Sequence, residues 1–180
     1  MDKSLYTQLA ELLEYPKEDI VKKAGDCIKS LAALNKYPPE VVAQLKTFLE
    51  DLENLPLDDI QGIYSYTFEL SSDYTLELGS HLYDGFKRSN QLASLKAMYR
   101  EHGFPFDAVA KGELPDNLHI LLKFLGTLKD EELKKDLMES FVTIAVEKLN
   151  KNFEKNKRNI YCHLINSIYR VLDKDVKEAK

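Results

Sequence analysis

Apolar residues recur along this chain at three- and four-residue intervals, the spacing of helices that each bury one face. Leu5, Leu9, Leu12 and Leu13 predict a first helix, stopped before Pro16. Ile20, Ala24, Ile28, Leu31 and Ala32 predict a second. Val41, Val42, Leu45, Phe48, Leu49 and Leu52 predict a third, with Pro39 suited to its first turn. Asp58 and Asp59, well placed on a helix N-terminal dipole, open a fourth that carries Ile60, Ile63, Tyr64, Thr67 and Phe68. Ser71-Ser72-Asp73 reads as the cap of a fifth helix ending at Asp84-Gly85. Gly79 falls in its middle, at a cost of about 1 kcal/mol against alanine, which predicts close approach by a neighbouring helix or a bound chain. Leu92, Leu95, Met98 and Tyr99 mark a sixth helix closed by Gly103, and residues 104–114 are the longest irregular stretch. Pro115-Asp116 opens a seventh, with Leu118, Leu121, Leu122 and Leu125. Leu133, Leu137, Phe141, Ile144 and Leu149 define an eighth. Ile160, Leu164, Ile165, Ile168 and Leu172 define a ninth, before a charged tail over 173–180 that is expected to fray.

No strand alternation, no repeat of 20–50 residues and no low-complexity linker interrupts this pattern. The fold class is therefore all-α: one globular bundle of eight or nine helices filling residues 1–180 as a single domain. The low count of seven glycines and six prolines argues against sandwiches and barrels, which need many turns. Cys27 and Cys162 are too few for a disulfide framework or a structural zinc site. No run approaches 18 uncharged apolar residues, and the opening MDKSLYTQLAELLEYPKED lacks the apolar core of a signal peptide. A cytoplasmic location is expected, with no membrane span.

Enzyme chemistry needs a constellation, and the sequence offers none. There is no glycine-rich phosphate loop, no CxxC and no HExxH. Cys162 and His163 are adjacent, and helical neighbours do not face each other. Asp58-Asp59 is followed by Gly62 rather than a third acid, so a DDxxD metal site is absent. No catalytic residue and no metal ligand is assigned.

Charge is distributed unevenly. From Thr47 to Phe86 there is no Lys or Arg, and the same segment holds nine acids, among them Asp59, Glu69, Asp73 and Asp84. Tyr64, Tyr66, Phe68, Tyr74, Leu82 and Tyr83 are interleaved with them. Carboxylates beside aromatic faces suit a basic, partly apolar peptide, although a solvated acidic face over core aromatics would read the same way. The segment from Glu147 to Lys180 is basic, with nine cations against five acids. Lys148, Lys151, Lys155, Lys157 and Arg158 there could touch phosphate, which keeps a nucleic-acid-binding or regulatory protein open as an alternative. The overall charge of −5 speaks against it. A metal-independent helical enzyme is the less favoured third reading.

The motifs then resemble a known family. Leu9-Ala-Glu-Leu12-Leu13-Glu-Tyr15-Pro16 is similar to the first helix and Tyr-Pro stop of the NarJ-like branch (nitrate reductase delta subunits) of the TorD superfamily of molybdoenzyme assembly chaperones. Asp59-Ile60-Gln61-Gly62-Ile63-Tyr64, with Thr67-Phe68-Glu69, resembles its LQxxYxxTFD helix, and Leu78-Gly-Ser-His81-Leu82-Tyr83 its LxxHLY segment. Leu92 to Gly103 resembles LxxLKxxYxxxG, with Tyr99 at its tyrosine. Glu113-Leu114-Pro115-Asp116-Asn117-Leu118 resembles ELPDHL, with Asn117 in the histidine position and His119 two residues on. The resemblance covers roughly residues 5–128.

It implies a chaperone without chemistry of its own. Such a protein binds the N-terminal segment of a molybdoenzyme catalytic subunit, nitrate reductase or a relative. It holds that segment while bis-molybdopterin guanine dinucleotide is inserted, before export or membrane docking, and keeps no cofactor stably itself. Cofactor-biosynthesis proteins are implied as further partners, and a monomer or weak dimer is expected. The candidate peptide-binding residues are Tyr64, Phe68, His81, Leu82, Tyr83, Asp84, Tyr99, Pro115, Asp116, Asn117 and His119, with Asp59, Glu69 and Asp73 as acidic contacts. Residues 104–114 are expected to gate the groove.

Overall fold

The computed structural model describes residues 3–179, and among these there is no strand beyond one isolated bridge. The helices are α1 (Leu5–Glu11), α2 (Ile20–Leu34), α3 (Pro39–Asn54), α4 (Leu57–Tyr64), α5 (Gly85–Glu101), α6 (Phe106–Ala110), α7 (Leu118–Thr127), α8 (Glu131–Leu137), α9 (Thr143–Phe153) and α10 (Tyr161–Glu178). A wide π-turn at Ser65–Glu69 prolongs α4, and another at Met138–Val142 joins α8 to α9 without a break. With α8 and α9 taken as one, the described residues form nine helices, within the expected eight or nine, although α6 stands in the count where the expected fifth helix does not form.

Capping follows local chemistry. Ser4, Asn117 and Asp130 accept backbone N–H groups at the starts of α1, α7 and α8. Pro39 occupies the first turn of α3, where no N–H partner is needed. One continuous core holds the helices together: α1 lies on α7, α10 on α3 and α9, and α2 on α3.

The expected fifth helix does not form. Residues 70–77 run as turns and extended chain, and only a 3₁₀ turn at Leu78–His81 follows. The segment Leu76-Glu77-Leu78 alternates instead, both leucines buried and Glu77 outward. It lies against the start of α7: the Leu78 N–H donates to the Asp116 carbonyl at 3.0 Å and the Leu118 N–H to the Leu76 carbonyl at 2.8 Å. A donor that the first turn of α7 cannot use internally is thereby satisfied, which a helix over 73–84 would leave unmade.

Two further expectations change. The 104–114 stretch contains the short helix α6, and α7 starts at Leu118 with Asn117 as its cap, so Pro115 and Asp116 precede the helix. The charged 173–179 segment continues α10 through Glu178, where Lys36 reaches Asp175 at 2.7 Å and Glu178 at 3.0 Å; Lys180 lies outside the described residues.

Candidate functional site

The aromatics predicted as a groove wall divide between interior and surface. Phe68 is buried and Tyr64 half-buried. Their rings meet edge-on at 5.1 Å between centroids, and both touch Tyr161, at 4.8 and 5.8 Å. The Tyr64 hydroxyl donates to the Leu13 carbonyl at 3.0 Å. Burial raises the Tyr64 phenol above its ordinary pKa, with Glu113, Glu69 and Glu14 adding to the effect.

An open trough lies on the outer side of this cluster, with a volume of about 560 Å³. One wall is the exposed face of α4 and its π-turn: Asp58, Asp59, Gly62, Ile63 and Tyr66. The other is the turn between α9 and α10, contributing Asn156, Arg158, Asn159 and Ile160, with Leu55 at one end. Two hydrogen bonds brace the walls. The Asn159 amide donates to the Thr67 Oγ1 at 2.6 Å, and the Thr67 hydroxyl donates to the Ile63 carbonyl at 2.6 Å. Thr67 has no exposed surface, so this tie is sheltered from water. Tyr66 stands 68% exposed over the trough.

His81, Leu82 and Tyr83 sit elsewhere, half-buried on a strap laid over α9. The His81 ring donates to the Thr75 carbonyl at 2.9 Å, and Tyr83 stacks on Phe141 at 6.3 Å. Lys148 and Asn152 of α9 hold the strap's backbone, at the carbonyls of His81 and Asp73.

Pro115, Asp116, Asn117 and His119 are buried. Asp116 accepts the Gly79 N–H at 2.9 Å and Arg88 at 3.5 Å, and Arg88 also pairs with Glu77. Burial pushes its carboxyl above the ordinary range, opposed by Arg88 and the Gly79 amide. His119 donates from Nδ1 to Asn117 Oδ1 at 2.8 Å, and burial, followed by the nearby Lys123, pushes its pKa down to about 4. Tyr99 has no exposed surface; its hydroxyl donates to the Pro115 carbonyl at 2.6 Å and its ring packs against Phe104, Phe106 and Phe124. Tyr99 and the 115–119 residues thus form the frame behind the surface.

Asp59, Glu69, Asp73 and Asp84 are exposed and make no ion pair among the described residues. Asp59 alone of these lines the trough, beside Asp58. The sequence reading passed over Gly62, Tyr66, Arg158 and Asn159 as site residues. Gly62, unsupported by close packing in mid-helix, and Tyr66, off the buried face of α4, were the available signals.

No enzyme-like cluster forms in the described residues. Cys162 Sγ lies on the Lys157 carbonyl while His163 turns to Gln44, so the adjacent pair does not cooperate. Burial raises Cys27 to about 12, an inert thiol. Among the described residues no three His, Cys, Asp or Glu side chains gather as a metal site, and no helix is long and apolar enough to cross a membrane.

Residues 33–155 match the family described as nitrate reductase delta subunit. The chain is also 30% identical over 136 residues to a protein of Escherichia coli (strain K12) called probable nitrate reductase molybdenum cofactor assembly chaperone NarW. That match takes in 75% of this chain and 54% of the relative, so the chain spans about half of the relative's length.

Proposed function

Because the chain belongs to the nitrate reductase delta subunit family, we propose that it is an assembly chaperone for a molybdenum enzyme, nitrate reductase or a close relative, and that it catalyses no reaction. It grips the N-terminal segment of the catalytic subunit and keeps that subunit receptive while its molybdenum cofactor is inserted. The cofactor, bis-molybdopterin guanine dinucleotide, is cargo for the client rather than a resident group of this chain. Release follows insertion, so the unfinished client is held back from export or membrane docking.

The observation that carries the reading is the trough beside α4: open, with Leu55, Ile63 and Ile160 as its apolar lining, and edged by Asp58 and Asp59, which pair with no cation among the described residues. A segment with apolar anchors and basic flanks fits such a surface. The wider excess of carboxylates over 47–86 would steer it by long-range attraction that salt screens. Calorimetry with a synthetic peptide of the client's N-terminus tests this. Affinity in the micromolar range or tighter, weakening as salt rises, is expected. An affinity indifferent to salt removes the steering, and absence of binding overturns the reading.

A further inference from the structure

Three charges line the trough without meeting. Asp58 and Asp59 stand on the α4 wall, and Arg158 stands on the turn opposite. All three are exposed, and neither carboxylate lies within 4.0 Å of the guanidinium. The trough is polarised across its width, acidic on the α4 wall and basic on the other, with Leu55, Ile63 and Ile160 as its apolar lining.

Its walls also restrict the shape of an occupant. The backbone of α4 is bonded within the helix, and in the turn the N–H groups of Lys155, Asn156 and Asn159 donate to the carbonyls of Asn152, Phe153 and Asn156. Neither wall is a strand, so among the described residues the trough has no sheet edge to pair with an extended segment. A helix satisfies its own peptide groups and asks nothing of these walls but side-chain contacts.

We infer that the trough selects an amphipathic helix carrying basic residues along one flank and at least one acidic residue along the other, the bases facing Asp58 and Asp59 and the acid facing Arg158. The inference rests on the peptide-binding reading and adds to it: a purely basic leader is the poorer ligand. Exposed charge pairs of this kind change affinity by about twofold to fivefold each.

Three synthetic peptides of about sixteen residues test it, long enough to hold a helix. They share one apolar face and differ in flanks: basic and acidic, both basic, or both acidic. Fluorescence anisotropy with the full chain reads the affinities. The mixed peptide should bind tightest, by about twofold to fivefold over the all-basic one. Arg158→Glu should reverse that order, and Arg158→Gln should abolish the penalty for changing the peptide's acid to Gln. An order identical in wild type and Arg158→Glu overturns the inference. Gly62→Trp separates this failure from that of the parent reading, because the Gly62 Cβ position meets no atom within 4 Å and a side chain there fills the trough without disturbing the core. Binding that Gly62→Trp abolishes, with flanks unranked, sinks the inference alone. Binding indifferent to Gly62→Trp, or no binding by any peptide, sinks both.

Discussion

At His119 the imidazole is buried, donates to Asn117 and has Lys123 close by, so its protonation is put off until about pH 4. In the unfolded chain the same group titrates near pH 6.5. Between these values the unfolded state binds more protons, and stability therefore rises with pH. The contribution is fully present above about pH 6.5 and is lost as the pH falls towards 4. Asp116 acts in the opposite sense, since its raised folded pKa favours the fold on acidification. Thermal unfolding should thus show a loss of roughly 1–2 kcal/mol between pH 7 and pH 5, and His119→Gln should flatten it. An unchanged slope in the variant would assign the loss to other groups. His119 was legible in the sequence as a residue at a helix opening, but not as a buried one. Which side of α7 faces the core depends on the distant helix α1, and the local period does not report it.

Among the elements, the 70–84 segment shows where local sequence misleads. Ser71-Ser72-Asp73 has the chemistry of a helix cap, yet Leu76 and Leu78 alternate about Glu77, the two-residue period of extended chain. A three-residue alternation is short evidence against a cap, and what decides between them is the free N–H of Leu118, far along the chain. Gly79 was legible as a point of close approach, and its neighbours prove to be side chains of this same chain. A Cβ there would stand 2.6 Å from both Asp116 Oδ2 and Gln91 Oε1. Gln91 can swing aside, but Asp116 is held by the Gly79 amide and Arg88. Gly79→Ala should accordingly lower stability by about 1–3 kcal/mol, read from the denaturant midpoint. A loss under about 0.5 kcal/mol would mean that the strap relaxes freely. By contrast α2 and α3 have boundaries within a residue or two of their apolar periods, because each buries one continuous face.

Over the whole molecule, charge is arranged by partner as much as by sign. In the basic C-terminal third, Lys151, Lys174 and Lys177 are taken up by Glu147, Glu178 and Asp173 one helical turn away, which reduces what that surface could offer a phosphate backbone. Of the carboxylates in the 47–86 block, Glu77 pairs with Arg88, while Asp58, Asp59, Glu69, Asp73 and Asp84 make no ion pair among the described residues. The bundle and most of its helices could be read from periodicity, the 70–84 strap and α6 being the exceptions, and the family from the order of its motifs. The trough could not, because it arises where α4 meets the turn after α9, almost a hundred residues away. Only the α4 half of it, with Asp59 and the neighbouring Tyr64, was within reach of a local reading.

The proposed role of this trough is to hold a segment of another chain. It is tested most directly by measuring the affinity of the client's N-terminal peptide for wild type and Gly62→Trp, together with the thermal midpoint of each. Replacing a mid-helix glycine whose Cβ meets open space should leave the midpoint unchanged or slightly higher. Affinity should fall at least tenfold, the equivalent of about 1.4 kcal/mol. Equal affinity for the two proteins, both folded, would contradict the claim.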